Sequence, residues 1–195
     1  MTVYYDEDEM RSRLSGLDHK GLVLFGLFVA ERLLPNYSLF SKEQSWGDAS
    51  TLRAALDVVW SWLETEQADT AEIVSMVEQC ERLAPDTDDF ESLYLSAALD
   101  AAIATINVLK LVLDCDSELA VENSSFGRDT VDMYVQVIER MPANSPDLEE
   151  RIRLHPLMQR EISSQFDAIQ KIESGVTVGE AKYQWRSVKK SNLEG

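Results

Sequence analysis

Apolar side chains recur at helical spacing in almost every stretch of the chain. Residues 52–63 show the pattern well, with Leu52, Leu56, Val59, Trp60 and Leu63 falling on one face of a helix. No alternating strand run, Asn-Gly hairpin step or internal repeat accompanies this periodicity. The pattern therefore predicts an all-α fold without a sheet, a single compact bundle of seven to nine helices.

Caps and helix breakers set the predicted boundaries. Helices are predicted over about 7–14, 19–34, 50–64, 70–84, 90–113 and 119–140, and further helices begin near 146, 156 and 178. Pro35 is expected to end the second helix, because the residue before a proline is pushed out of helical geometry. Thr87 or Asp88 is expected to cap the fifth helix, and Ser145 to cap the seventh. We expect one domain over 1–195, with a core over about 10–175 and a basic final helix or tail over 176–195.

The longest apolar run is Gly21–Ala30. Its ten residues are about half of what crosses a bilayer, so it is interpreted as a buried core helix and no membrane association is expected. Apolar residues form 45% of the chain, and the 8 glycines and 5 prolines are too few to interrupt many helices. This composition indicates a globular protein.

The formal net charge of -17 limits the classes of partner that the protein is expected to bind. A surface this acidic repels phosphate backbones, so nucleic-acid binding is not expected. The charge suits solubility or attraction to a basic protein partner. The basic final helix could dock on the acidic body of its own chain or of a neighbouring copy.

Cysteine usage indicates the compartment. Cys80 and Cys115 are well separated, and the first ten residues, MTVYYDEDEM, are acidic and unlike a secretory leader. Two such thiols are typical of reduced cysteines in a cytosol, so a cytoplasmic location is expected.

Most catalytic and metal-binding patterns are missing from the sequence. The two histidines, His19 and His155, lie in no E-x-x-H or H-E-x-x-H motif, and the chain has no C-x-x-C or Gly-rich phosphate loop. The acidic stretch PDTDDFE lacks the glycine and the last glutamate of a calcium loop, and it suits a helix start instead. No cofactor and no metal are expected, and enzymatic activity is not favoured.

Five polar residues fall where apolar helix faces predict a core. Glu31 shares a stripe with Leu24, Leu27 and Phe28, and Asp100 is the only acid in SAALDAAIATINVL. A buried carboxylate is costly unless it is paired. We therefore expect one network in which arginines satisfy the acids, made of Glu31, Arg32, Arg53, Asp57 and Asp100. It is either a scaffold that fixes helix register or the floor of a polar pocket, and the lack of a converging His, Cys or metal motif favours the scaffold.

The same stretches resemble a known family. FVAERLLPNYSLF followed by WGDASTLRAALDVVWSWL is similar to the YjaG-like family of bacterial proteins of unknown function, and PDTDDFESLYLSAALDAA is a second similar stretch. The first includes Glu31, Arg32, Arg53 and Asp57, and the second includes Asp100; HPLMQREISSQFDAI, with Pro156 and Glu161, is a weaker match. The resemblance covers roughly residues 10–175. It implies a compact helical fold in a bacterial cytosol, and it implies no activity.

Three functions fit these observations. The favoured one is a non-enzymatic interaction or structural module, either a homo-oligomer or an acidic adaptor, whose exposed aromatic residues are expected near Tyr4, Tyr5, Trp62 and Trp185. The alternative is a small-molecule-binding protein or enzyme with a pocket floored by Glu31, Arg53, Asp57 and Asp100. A pocket of several hundred Å³ lined by these groups would favour the alternative. The third is mimicry of nucleic acid by the acidic surface.

Overall fold

The computed structural model describes residues 4–142, 144–186 and 191–194, and the prediction of an all-α fold is confirmed there. The described residues form nine helices and no strand. They are α1 (Glu7–Ser15), α2 (His19–Gln44), α3 (Ala49–Thr65), α4 (Thr70–Glu81), α5 (Leu95–Leu113), α6 (Ser117–Ile138), α7 (Leu148–Leu154), α8 (Pro156–Glu173) and α9 (Val178–Trp185).

Helices α2 and α5 form the centre of the molecule. They share the most extensive helix–helix interface, with α3 and α4 packed on one side and α6 and α8 on the other. A side chain at Gly26 would press on Val108 and Leu111 of α5 at 3.1 Å, so the glycine allows the two backbones to approach closely. Both helices are long and apolar enough to cross a membrane. Their most apolar stretches are 78% and 72% buried inside the protein, which accounts for that apolarity.

The prediction that Pro35 ends the second helix is wrong. Helix α2 runs on for nine more residues to Gln44, where Ser45 adopts a left-handed conformation. The residues beyond the proline include Asn36, Tyr37 and Phe40, which are fully buried. Their burial outweighs the loss of one intrahelical hydrogen bond at the proline.

The predicted starts of two helices, α5 and α7, are also wrong. Helix α5 begins at Leu95 rather than near residue 90, and neither Thr87 nor Asp88 caps it. Phe90 instead packs its ring against Phe40 and Trp46, with centroid distances of 5.3 and 5.0 Å. An aromatic cluster therefore holds this stretch outside the helix.

The start of α7 lies two residues later than predicted. The hydroxyl of Ser145 donates to the Asp147 side chain at 2.5 Å, and the helix begins at Leu148. A tight turn thus replaces the expected Ser145 cap. The last helix begins as its sequence predicts, since Thr177 and Glu180 form a reciprocal capping box.

Candidate functional site

The Glu31 carboxylate lies at the centre of an ion-pair cluster in which both of its oxygens accept hydrogen bonds. Arg53 donates from Nη1 to Oε2 at 2.5 Å and from Nη2 to Oε1 at 2.7 Å, and Trp60 Nε1 donates to Oε1 at 2.7 Å. Glu31 is only 2% exposed. Its charge is therefore compensated by a bidentate guanidinium and a neutral donor, the arrangement that a buried carboxylate requires.

The spacing of the sequence produces this cluster. Arg53 and Trp60 are seven residues apart on α3, so both side chains face α2, where Glu31 belongs to the buried stripe. Asp48 caps α3 by accepting the backbone N–H of Ser50 at 2.9 Å, which fixes where that helix starts. The contact between Glu31 and Arg53 is one that sequence reasoning anticipated.

Asp57 joins the cluster through two arginines. It lies 3.1 Å from Arg53, and Arg186 on the last turn leaving α9 donates from Nε at 2.8 Å and from Nη2 at 3.0 Å. Burial acts to raise the pKa of Asp57, but the hydrogen bonds and charges of the two arginines outweigh it and lower the pKa. Arg186 is not among the site residues predicted from the sequence. The only signal was the general prediction that the basic final helix docks on the acidic body, which the structure shows within one chain.

Arg32 does not contact Glu31, contrary to the expected single network. Its Nη2 donates to Glu161 on α8 at 2.5 Å, and Glu161 also accepts from Gln165 at 2.9 Å. Glu161 could have been found from the sequence, because it lies on the buried face of α8 beside the apolar residues Met158 and Ile162. Successive residues of α2 near Pro35 thus point to different neighbours, Glu31 to α3 and Arg32 to α8.

Asp100 is separate from both clusters, and the prediction that an arginine pairs with it is wrong. It accepts a hydrogen bond of 2.6 Å from the hydroxyl of Thr130 on α6. Burial raises the pKa of Asp100 to about 7, Thr130 lowers it, and the charge of Asp129 raises it. Asp100 faces α6, whereas Arg32 and Arg53 lie on α2 and α3, so a hydrogen bond from a hydroxyl replaces the expected ion pair.

An open groove of about 450 Å³ lies beside the Glu31 cluster. We call it the Pro35 groove, and its walls are formed by Glu31, Leu34, Pro35, Ser38, Leu39, Lys42, Arg53, Arg186 and Glu194. Leu34, Pro35 and Leu39 supply apolar walls. Lys42 is exposed, and no described residue forms an ion pair or hydrogen bond with its ammonium group. The groove therefore combines apolar walls with a lysine that has no ionic partner in the part of the chain that the structure describes.

Pro35 also changes the backbone of the groove. A proline has no N–H, so the Glu31 carbonyl lacks the donor that the fourth following residue normally supplies. This carbonyl lies in the same turn as the groove wall. Pro35 was predicted to end the helix. It instead removes one hydrogen bond within α2, beside the open groove.

The geometry limits what these residues can do chemically. Both Glu31 oxygens already accept hydrogen bonds and the side chain is buried, so this carboxylate is a poor general base. Within the described ranges, no group of three His, Cys, Asp or Glu residues could hold a metal ion. Cys80 is buried, and burial raises the pKa of its thiol to about 11, which makes it a poor nucleophile.

The aromatic residues expected at the surface differ in exposure. Tyr4 is 66% exposed, whereas Trp185 is 5% exposed and packs edge-on against Phe28 at 5.3 Å. Trp62 is half-buried beside His19, and the ring of Tyr5 lies under the Arg128 guanidinium. The expectation of exposed aromatics thus holds for Tyr4 and fails for Trp185.

Known proteins are similar to this chain in sequence and in fold. Residues 9–193 match the family model described as a protein of unknown function, DUF416. The uncharacterised protein YjaG of Escherichia coli strain K12 is 28% identical over 162 residues, covering 83% of this chain and 80% of the relative. The YjaG protein of Salmonella typhimurium is 27% identical over the same length and with the same coverage.

A solved structure supports the same assignment. The crystal structure of a DUF416 family protein from Shewanella baltica OS155 superposes with a TM-score of 0.83 at 26% identity, covering 94% of this chain and 96% of that one. The YjaG-like resemblance and the helical fold are therefore confirmed. The chain belongs to the DUF416 family, whose function is unknown.

Proposed function

We propose that this chain is a non-enzymatic binding protein and that the Pro35 groove takes a small organic anion with an apolar body. One observation carries the proposal. Lys42 has no ionic partner among the described residues, and it stands at the edge of an apolar groove whose two arginines are already paired. An unpaired cation beside apolar walls suits a ligand with one charged end.

The size and charge of the groove narrow the ligand class. Its volume of about 450 Å³ falls within the usual range of small-molecule sites. Arg53 is paired with Glu31, and Arg186 is paired with Asp57. Lys42 therefore supplies the electrostatic attraction for an anionic ligand. Glu194 also lines the groove and repels additional negative charge. These features favour a carboxylate with a single charge over a phosphate with two.

The pairing of both Glu31 oxygens supports a non-enzymatic role. A catalytic carboxylate needs a free oxygen within reach of the substrate proton. Here the oxygens are held by Arg53 and Trp60, so the cluster serves better as a rigid wall. The cluster then positions the groove without taking part in chemistry.

Titration with sodium octanoate tests the proposal. We expect saturable NMR shifts at amides of Leu34, Leu39 and Lys42 in the wild-type protein, and no matching effect with octanol, which lacks the charge. Lys42→Ala should weaken octanoate binding roughly tenfold, because it removes the unpaired cation. Lys110→Ala is the matched control, since Lys110 is exposed and lies outside the groove. Equal binding by the wild type and Lys42→Ala would contradict the proposal.

A second proposal is a protein partner or a second copy of the chain. It rests on Met133 and Val137, which lie one turn apart on α6 and are 48% and 56% exposed. Light scattering of the wild type and of Val137→Asp tests it. A dimer that becomes a monomer in the variant would support the proposal, and a wild-type monomer would contradict self-association.

A further inference from the structure

The segment Ser191–Glu194 is held by the body of the protein through one residue, Asn192. The Asn192 side-chain oxygen accepts from Asn36 at 3.0 Å, and its amide nitrogen donates to the Gly127 carbonyl at 3.0 Å. Its backbone N–H donates to the Arg32 carbonyl at 3.3 Å, and its own carbonyl accepts from Arg160 at 2.9 Å. Every polar group of Asn192 therefore has a partner on α2, α6 or α8.

The segment presents Asn192 at the tip of a turn. The Glu194 N–H donates to the Ser191 carbonyl at 3.2 Å, and the Leu193 N–H donates to the Ser191 hydroxyl at 3.0 Å. Asn192 is 2% exposed, and Leu193 is 6% exposed. Leu193 packs in a small apolar cluster with Val131, Val135 and Ile162. The turn thus presents one side-chain amide, from Asn192, and one apolar side chain, from Leu193, to the body of the protein.

The cleft is built by groups that do not belong to the segment. Arg32, Asn36, Gly127 and Arg160 form it, and we call it the Asn192 cleft. Arg32 is fixed from below by its ion pair with buried Glu161. The Arg32 and Gly127 carbonyls lie within helices, where a carbonyl has a second lone pair free for another donor. The cleft therefore presents two backbone carbonyls, one side-chain amide and one guanidinium group to the segment.

We propose that the Asn192 cleft is a peptide-recognition site for a turn carrying asparagine followed by an apolar residue, with this chain's own Ser191–Leu193 as its exchangeable occupant. The recognition uses backbone groups for affinity and two side chains for specificity, as peptide-binding sites commonly do. This inference concerns a different site from the octanoate proposal, because none of the four cleft residues lines the Pro35 groove, and Glu194 of the segment is the one residue that contacts the groove.

The hydrogen bonds make the site selective for asparagine. Asn36 donates to one end of the amide and the Gly127 carbonyl accepts from the other, so the occupant must carry an acceptor and a donor side by side. Aspartate has the same shape but sets a carboxylate oxygen against the Gly127 carbonyl. Leucine at this position leaves both cleft groups without a partner.

The test uses the Asn192→Asp variant, which keeps the shape of the side chain but replaces the donor by a charged acceptor facing the Gly127 carbonyl. An acetylated peptide with the sequence of residues 188–195 is added and followed by NMR at the Asn36 and Gly127 amides. We expect saturable binding to this variant, and binding at least roughly tenfold weaker to the wild type, whose own segment fills the cleft at high effective concentration. The same peptide with Asp in place of Asn should bind at least roughly tenfold more weakly to the variant.

The matched control is Asn144→Asp, which changes an exposed asparagine and should behave as the wild type. If the folded Asn192→Asp variant binds neither peptide, or binds both equally, the proposal is wrong.

Hydrogen exchange on the wild type tests the same claim without a variant. An exchangeable occupant predicts that the Asn192 and Leu193 amides exchange by local opening, far faster than the core amide of Val29 on α2. Exchange of all three amides only through global unfolding would show that the segment is a permanent part of the core, and would overturn the proposal even if Asn192→Asp does not fold.

Discussion

At the scale of single residues, the buried acids differ in how completely they are paired. Glu31 accepts three hydrogen bonds and faces a guanidinium, whereas Asp100 accepts a single bond from Thr130. The first acid has a direct counter-charge, whereas burial raises the pKa of the second to about 7 and favours its protonated form. Replacing Glu31 by a neutral residue should therefore lower the stability of the protein, whereas replacing Asp100 should raise its relative stability at high pH.

Replacing Glu31 by glutamine should destabilise the protein. Arg53 and Trp60 would face a neutral amide, and the partly buried guanidinium would lose its counter-charge there. We expect Glu31→Gln to lower the free energy of unfolding by about 3 kcal/mol in urea titrations. Glu66→Gln is the matched control, because it breaks an exposed ion pair with Lys20 and should cost less than about 1 kcal/mol. Similar losses for both variants would contradict the assigned role of burial.

Asp100 makes stability depend on pH. Its pKa of about 7 in the folded protein lies above its ordinary value of 3.8, so the folded state keeps a proton that the unfolded state releases between these values. The stability contribution of the neutral carboxyl is complete below about pH 4 and is lost as the pH rises through 7.

Asp100→Asn should remove this dependence. Relative to the wild type, the variant should gain about 4 kcal/mol of unfolding free energy between pH 4 and pH 8. Denaturant titrations at several pH values measure the gain, with the exposed Asp114→Asn as control. A difference between variant and wild type that stays constant with pH would contradict the raised pKa.

At the scale of helices, periodicity predicted the elements well and breakers predicted their ends less well. The apolar stripes of α3 and α8 follow the 3.6-residue repeat, and Pro156 opens α8 where expected. The predicted helix end at Pro35 was wrong because a local rule was applied where burial in the tertiary structure decides. The predicted helix start near Phe90 was wrong because the aromatic partners of Phe90 lie far away in sequence. Such long-range contacts leave no local pattern.

The corner between α2 and α3 depends on Gly47. Its φ of 78° suits glycine, and a Cβ atom there would overlap the hydroxyl of Tyr37, which donates to the Leu83 carbonyl at 2.9 Å. Gly47→Ala should therefore cost about 3 kcal/mol in thermal or urea unfolding.

Gly175→Ala is a close control for that change. Gly175 has a φ of 80° but open space around its Cα, so only backbone strain of about 1 kcal/mol is expected. An equal loss for both variants would show that Tyr37 does not restrict the corner.

At the scale of the whole molecule, the last helix is joined to an acidic body. Lys182 pairs with Glu64 and Arg186 with Asp57, but all four side chains are at least one-third exposed. Exposed pairs contribute little to stability. The buried indole of Trp185 against Phe28 is the stronger attachment.

Trp185→Ala should lower the free energy of unfolding by about 3 kcal/mol, because it removes a buried aromatic side chain. Tyr183→Ala lies on the same helix, and its side chain is 82% exposed, so it should change stability by less than about 0.5 kcal/mol. Urea titration of both variants measures the difference. A loss of stability in Tyr183→Ala as large as in Trp185→Ala would contradict attachment through the buried ring.

The candidate site could be predicted only in part. Helical spacing placed Glu31, Arg53 and Asp57 near one another, since each lies on or beside an inward stripe. Helical spacing could not identify Arg186 or Lys42 as groove residues. The position of Arg186 depends on how α9 docks, and that of Lys42 depends on α2 continuing past Pro35. A single sequence shows which faces are buried, but not which of several buried faces meet.

Native mass spectrometry of the untagged protein, released from bacterial cells directly into volatile buffer, tests the binding role of the Pro35 groove most directly. The account predicts a reproducible adduct of small-molecule mass that disappears on denaturation, carries an anionic group, and is lost in Lys42→Ala but kept in Lys110→Ala. A bare chain as the only species in all three proteins, or an adduct that Lys42→Ala retains, would contradict the account.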